Sequence, residues 1–405
     1  MELSSRSYWV PLLCRMMNIV DRRILNFSKY CMIFVGIWRL RLPIESNTLR
    51  KTYEIYSIFV KIYMPLYLLS MCIHFILAVG SKNETLEDLM KEFSYVLVSL
   101  ITEIVAVLCQ KRTFKQIISY VMEEEKDILN SREEETLYQY KRNLNFCIAV
   151  NLAVFIFPVC TAASISVENG RIRHQIDRYN SEHNATLDKP FPFALYLYKF
   201  DKNNHQIIVM FVERVWQVLV VIRAISTKNI VISCIIFTPS ILKRLQIRFR
   251  QLSRQEGDTF ELLNDLISQH QKVIRYVSEL NDSIKYVILL EYLLNSLNVA
   301  AVSVQFISNK LAYSPLFYFI YLFVQTFVLG WSANEVKVQS EALSDALYES
   351  LWYEQNNRVR RMILYIILRS QKPLTLTIGP FDTMTTASAV RIMKASYSYV
   401  SLMVN

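Results

Sequence analysis

Glycine is scarce in this chain, six in 405 residues, while tyrosine and phenylalanine together number 46. Sheet architectures built from many short strands need frequent turn residues, so this composition argues against them. Charge is also sparse at 20% of residues, less than the surface of a soluble domain of this length carries. There is no Gly-rich phosphate loop and no Gly-x-Ser-x-Gly, so no catalytic residue is assigned and the chain is not read as an enzyme. The five histidines, His74 among them, show no metal-ligand spacing and no bracketing cysteine pair, so neither metal nor cofactor is expected. No internal repeat is evident, which weakens transporter folds built from inverted halves. Residues 1–29 carry Arg6, Arg15, Arg22, Arg23 and Lys29 and offer no uninterrupted apolar core for a cleavable signal.

What the chain has instead is long apolar blocks. A helix crossing about 30 Å of hydrocarbon needs roughly 20 such residues. Leu144–Val167 and Leu311–Asn334 supply them without one Asp, Glu, Lys or Arg. Tyr56–Val79, Phe93–Gln110 and Tyr286–Ser308 each contain a single interior charge, Lys61, Glu103 and Glu291. Gln206–Ser240 is interrupted by Glu213, Arg214, Arg223 and Lys228, and reads as a long helix whose charged side faces protein or water. Thr383–Val404 carries Arg391 and Lys394. The expected fold is therefore all-α, a polytopic membrane protein with seven transmembrane helices. Tyr30–Trp38 is apolar but too short to span, and is read as a re-entrant or interfacial helix.

The formal charge of +10 flanks the apolar blocks, which favours a membrane lipid surface over nucleic acid as the partner. About 28 Lys and Arg fall in the connections on the side of residues 1–52, and about nine on the other. The positive-inside rule then places the N-terminus in the cytoplasm and, with seven spans, the C-terminus outside. Of four Asn-x-Ser/Thr sequons, Asn83 and Asn184 fall in outer loops and are glycosylation candidates, whereas Asn26 and Asn281 face inward. Cys14, Cys31, Cys72, Cys109, Cys147, Cys160 and Cys234 all lie outside those loops, so no disulfide joins them. An N-inside topology separates the chain from G-protein-coupled receptors. Its Asp177-Arg178-Tyr179 triplet sits in the outer loop 168–205, and the last span lacks Asn-Pro-x-x-Tyr. Apolar residues recur at a helical period over Leu262–Leu280 and Ala342–Tyr353. Spans 4–7 are thus expected to carry cytoplasmic helical extensions that pack together. The resulting divisions are an N-terminal segment 1–52, spans 1–6 over 53–335, cytoplasmic anchor helices over 336–372, and a seventh span over 373–405.

The stretch Ser344–Asn405 resembles the C-terminal region of insect odorant receptors. The matching elements are Ala346-x-Tyr348 with Trp352-Tyr353, then Arg369-Ser370-Gln371-Lys372-Pro373, Pro373-Leu374-x-Leu376-x-x-Gly379, and Lys394-x-Ser396-Tyr397-Ser398-Tyr399. The Thr-Tyr and Gln-Phe elements of gustatory receptors are missing from the closing helix. This resemblance implies an odorant-gated, non-selective cation channel in the dendritic plasma membrane of olfactory sensory neurons. It further implies a volatile small-molecule ligand and a heterotetramer with an olfactory co-receptor subunit. A gustatory-type channel is the alternative, with a secondary transporter behind it. The resemblance implies too that the closing helix lines the pore, that the cytoplasmic layer joins the subunits, and that odorant binds in the outer half among spans 2, 3, 4 and 6.

Within that frame, an apolar volatile needs an aromatic and aliphatic cavity with few polar groups. Phe93 and Val96 near the outer end of span 2, Phe157 beside Pro158 in span 3, and Met210 and Phe211 at the start of span 4 qualify. So do Tyr318 and Tyr321 in span 6, three apart and able to share a face. Ordinary interhelical packing is the competing reading for each. In the closing helix, Asp382 or Thr383 is placed to cap the start. Polar residues then recur along one face, as a pore lining or an interhelical seam. Tyr399, Leu402 and Asn405 are the expected outer constriction. Glu103, Glu213 and Glu291 are expected to pair with Lys or Arg of another span in preference to relaying protons.

Overall fold

The computed structural model describes residues 23–38, 47–80, 86–131, 133–183, 206–252, 259–308 and 314–404. Its described part is almost wholly helical. The elements are α1 (Asn26–Phe34), α2 (Asn47–Gly80), α3 (Leu86–Gln110), α4 (Arg112–Asn130), α5 (Glu134–His183), α6 (Gln206–Gln251), α7 (Thr259–Ser308), α8 (Ser314–Tyr348), a 3₁₀ turn at Trp352–Glu354, α9 (Asn357–Ser370) and α10 (Thr386–Val404). A two-residue antiparallel ladder, β1 (Thr377–Ile378) with β2 (Asp382–Thr383), stands between α9 and α10. Among the described residues, five helical segments are long and apolar enough to cross a membrane: Arg50–Gly80, Glu92–Gln110, Leu219–Gln251, Thr259–Ser303 and Pro315–Tyr348. The other two expected spans fall in α5 and α10, giving the seven-helix arrangement.

Burial is distributed as a bilayer demands. The apolar window of α2 is only 17% buried and presents Ile55, Phe59, Ile62, Leu66 and Ile76 outward. The window of α6 is 78% buried, and Arg223, Lys228 and Asn229 lie inside the protein. Large apolar side chains out and charges in is the reverse of a soluble protein, and fits hydrocarbon as solvent. The two charges that interrupt the hydropathy of α6 are satisfied within the bundle. Arg223 Nη2 donates to Glu103 Oε2 of α3 at 2.8 Å, and Lys228 Nζ lies 3.1 Å from Glu291 Oε1 of α7. The expected pairing thus holds for Glu103 and Glu291; the Glu213 side chain lies outside the described residues.

The short apolar stretch near the start forms α1, then turns at Gly36, whose φ is +71°. It is seated against α2. Tyr53 Oη lies 2.9 Å from the carbonyl oxygens of both Ile33 and Trp38 and donates to one of them, Tyr56 Oη donates to that of Phe34, and Ser57 Oγ to that of Gly36. The orphan carbonyls at this helix end are thereby satisfied by side chains of the next helix.

α6, α7 and α8 run past any bilayer: α7 has 50 residues, about 75 Å of helix. Their extensions meet α4 and α9 at one end of the bundle. Phe249, Leu263, Leu266, Leu343, Leu347, Val359 and Ile363 are all fully buried there, each stabilising the cluster by roughly 1.5–3 kcal/mol. Basic residues of α6 tie this end together, with Arg244–Glu124 at 3.5 Å, Arg248–Glu133 at 3.2 Å and Arg250–Glu349 at 2.6 Å. α9 starts on Asn356, whose side chain accepts the Val359 N–H at 2.9 Å, a helix N-cap. The extension preceding the seventh span is this separate helix, because Pro373 and the hairpin intervene.

His270 of α7 is buried in the same cluster. Burial first, and the Arg369 guanidinium second, push its imidazole down from 6.5 to about 4. Between those values the unfolded chain binds a proton that the folded chain refuses, so stability falls as pH drops below 6.5. At pH 5 the loss is on the order of 2 kcal/mol. Thermal unfolding of the purified protein is expected to show this acid sensitivity flattened in His270→Leu. An unchanged slope would place the titrating group elsewhere.

The hairpin before α10 corrects the expected cap. Asp382 and Thr383 are held in the ladder, Thr377 opposite Thr383 and Ile378 opposite Asp382, so neither can start the helix. Thr385 does. Its Oγ1 accepts the Ser388 N–H at 3.2 Å while Ser388 Oγ accepts the Thr385 N–H at 2.8 Å, a reciprocal cap. Asp382 instead pairs with Arg391. The turn is anchored to α7: Thr377 N–H donates to Asn281 Oδ1 at 2.8 Å and Gly379 N–H to the Lys285 carbonyl at 2.9 Å. Gly379 has φ +56°, and a Cβ there would sit 2.8 Å from Leu289 Cδ2.

Candidate functional site

The end of the bundle where α7 finishes and α8 starts carries the aromatic residues singled out in the sequence. Tyr318 and Tyr321 do share a face of α8, their rings stacked with centroids 6.1 Å apart and planes 18° apart. Tyr321 is buried. The Tyr318 hydroxyl is buried and has no hydrogen-bond partner among the described residues. Tyr321 and Tyr95 of α3 are neighbouring phenols, while α3 as a whole packs on α2, α6 and α7. Phe93 itself turns to α2, with its ring 5.7 Å from that of Phe75, and Val96 is half-buried. Phe157 lies in α5, and Met210 and Phe211 lie in the first turns of α6; their side chains are outside the described residues.

Tyr95 was not picked out by the sequence reading. Nothing local separates it from Phe93, because the face of α3 turned toward Tyr318 is fixed only by packing. Gln325 was missed as well, and here a signal existed. It lies four residues after Tyr321 and seven after Tyr318, on the same helical face.

Gln325 continues the tyrosine face into a buried polar cluster. Its Nε2 donates to Glu291 Oε1, and its Oε1 lies 3.4 Å from Lys228 Nζ. Tyr321 lies near Lys228 and Glu291. A void of about 10 Å³ beside them, lined by Val105, Val231, Ile288 and Leu329, has room for about one water molecule. The stacked tyrosines thus stand on the same helical face as Gln325, which joins the charge pair between α6 and α7.

Tyr399 and Leu402 lie in the last turns of α10, with side chains outside the described residues, as are Asn405, Asn83 and Asn184. Among the described residues, no group of three or more His, Cys, Asp or Glu is arranged to hold a metal ion. The described cysteines Cys31, Cys72, Cys109, Cys147, Cys160 and Cys234 are free thiols.

A family profile described as 7tm Odorant receptor matches residues 85–397. Among curated proteins, Odorant receptor 10 of Aedes albopictus is 34% identical over 141 residues, covering 34% of this chain and 38% of that protein. Odorant receptor Or2 of Anopheles gambiae is 29% identical over 184 residues, covering 42% and 49%. The matched region is therefore less than half the length of either relative. The solved structure of the insect olfactory receptor OR5 from Machilis hrabei in complex with eugenol aligns over 98% of this chain and 100% of that one, with a TM-score of 0.75 at 18% identity. At that identity the likeness is one of fold.

Proposed function

The chain belongs to the 7tm odorant receptor family, and from that premise we propose that it is the odorant-tuned subunit of a ligand-gated, non-selective cation channel. In this reading it assembles with an olfactory co-receptor subunit into a heterotetramer in the dendritic plasma membrane of olfactory sensory neurons. The charge asymmetry puts the N-terminus and the α4–α9 cluster in the cytoplasm, and the Tyr318 end outside. Segment 1–52 is then cytoplasmic, residues 53–335 hold the pocket, 336–372 anchor the subunits and 373–405 carry the pore span. Asn83 and Asn184 are glycosylated. α9 supports the assembly: opposite its buried stripe it exposes Leu364, Tyr365 and Leu368, with Tyr348 and Tyr353 alongside. A contiguous apolar surface of this kind marks a protein contact.

The observation that carries the ligand assignment is the Tyr318 hydroxyl, buried without a partner among the described residues. Leaving a polar group so is costly unless something fills the site. A volatile with an apolar body and a polar group would fill it, bounded by Val96, Phe157, Met210, Phe211, Tyr318 and Tyr321. The Machilis receptor's bound eugenol is a molecule of that kind. Tyr399, Leu402 and Asn405 form the outer constriction of the pore.

Co-expression with an insect co-receptor in oocytes, under an odorant panel, is the test. Odorant-evoked cation current should appear without G-protein signalling. Tyr318→Phe should raise the half-maximal concentration of ligands bearing a polar group by about fivefold to tenfold, the worth of one hydrogen bond. Leu402→Ala should change ion preference and leave tuning alone. A Leu402 variant that shifted only tuning would overturn the pore assignment.

A further inference from the structure

A second cavity lies on another side of the bundle, between α7, α8 and α10. It is a crevice of about 280 Å³, close to the small end of ligand sites. One wall is the face of α7 carrying Asn295 and Val299, another the face of α8 carrying Phe319 and Phe323, and the third is Ile392 and Met393 of α10. On α8 this face lies roughly 100° round the helix from the Tyr318–Tyr321–Gln325 face, so the two sites are distinct.

The three hydroxyls of the crevice are one-sided. Ser296, Ser303 and Thr326 also line it, but each hydroxyl proton is committed to a carbonyl of its own helix, at 2.7, 2.7 and 2.8 Å. What those oxygens have left are lone pairs. Asn295 is 4% exposed, and its Oδ1 has no hydrogen-bond partner among the described residues. An amide oxygen buried in this way in a mostly apolar crevice calls for a donor. The remaining walls are Phe, Val, Leu, Ile and Met, so an apolar body suits most of the crevice. The Phe319 and Phe323 rings are partly exposed, which gives an apolar molecule lateral entry from the membrane.

We propose that this crevice is a second ligand site, taking a small apolar molecule with one hydroxyl donor, such as an alkylphenol, whose O–H donates to Asn295 Oδ1. The occupant touches α10 directly through Ile392 and Met393, which the Tyr318 site does not. The assignment stands on the crevice alone and is independent of the channel reading.

The test uses the full chain purified with its co-receptor in nanodiscs and a diazirine analogue of 4-propylphenol as the photoprobe. Labelled peptides are expected from 295–303 or 319–326. 4-Propylphenol should compete at about a tenfold lower concentration than 4-propylanisole, which has a closely similar body and no donor. Asn295→Leu should abolish that preference while leaving folding intact, because it removes an unpaired buried polar group. Val299→Phe, which fills the space, should remove labelling altogether. Equal competition by the two compounds would reassign the crevice to lipid chains. Labelling confined to peptides around Tyr318, or crosslinks from these peptides to a neighbouring subunit, would also overturn the proposal. None of these outcomes is read through current, so a failure here leaves the channel reading standing.

Discussion

Replacing Gly330 by valine is expected to unseat α10 and to abolish most ligand-evoked current. Gly330 sits inside α8, where alanine would ordinarily be favoured by up to about 1 kcal/mol. A Cβ at this position would lie 2.8 Å from Ala389 Cβ and 2.8 Å from the Thr385 carbonyl oxygen. Neither atom is the end of a flexible side chain. Thr385 is the residue that caps α10, so relief of the clash requires the first turn of that helix to move. Overpacking of this kind costs on the order of 1–3 kcal/mol, against a propensity gain that has the opposite sign. The sign of the Gly330→Ala effect on thermal stability is therefore diagnostic: destabilisation means the close approach is real, stabilisation means it is not. With valine the loss should exceed tenfold in current per surface receptor. Ala389→Gly in the same chain should restore part of it, because one of the two collisions disappears. A valine variant with wild-type current and melting temperature would refute the packing of α8 on α10.

How much of this was legible in the sequence depends on whether the information was local. Leu144–Val167 and Leu311–Asn334 could be read outright because hydropathy alone marks them. Gln206–Ser240 looked a poor span, and its later part belongs to the most buried of the five membrane-length helices. The charges that weakened it, Arg223 and Lys228, are met by Glu103 of α3 and Glu291 of α7. No window along one helix contains that partnership. The cap of α10 went the same way. Asp382 is a good N-cap residue in isolation, but backbone pairing with Ile378 and the contact with Arg391 claim it first. In the candidate site, Tyr318 and Tyr321 could be paired from their spacing, since three residues apart is a statement about helix geometry. Tyr95 could not, because which face of α3 turns toward Tyr318 is settled only when the bundle is packed.

The largest effect on stability is expected at the charge pair beneath those tyrosines. Lys228 and Glu291 are almost completely buried, at 3% and 8% side-chain exposure, and 3.1 Å apart. Removing one partner leaves the other charge in a low-dielectric interior with only Gln325 beside it, which typically costs about 3–5 kcal/mol. Lys228→Met and Glu291→Leu should each lower the melting temperature of the purified protein and the number of receptors at the surface. The double variant behaves differently, since replacing a whole buried pair by apolar residues of similar volume is often neutral or stabilising. Most of the loss should therefore return in Lys228→Met/Glu291→Leu, giving a strong positive coupling in the double-mutant cycle. Purely additive effects would mean the two charges do not share a desolvated site. Current from the rescued double variant carries the further information. If the pair only holds α6 to α7, restored folding brings restored current. If the helical face carrying Tyr318, Tyr321 and Gln325 transmits ligand binding, the double variant reaches the surface at normal levels, binds ligand and stays closed.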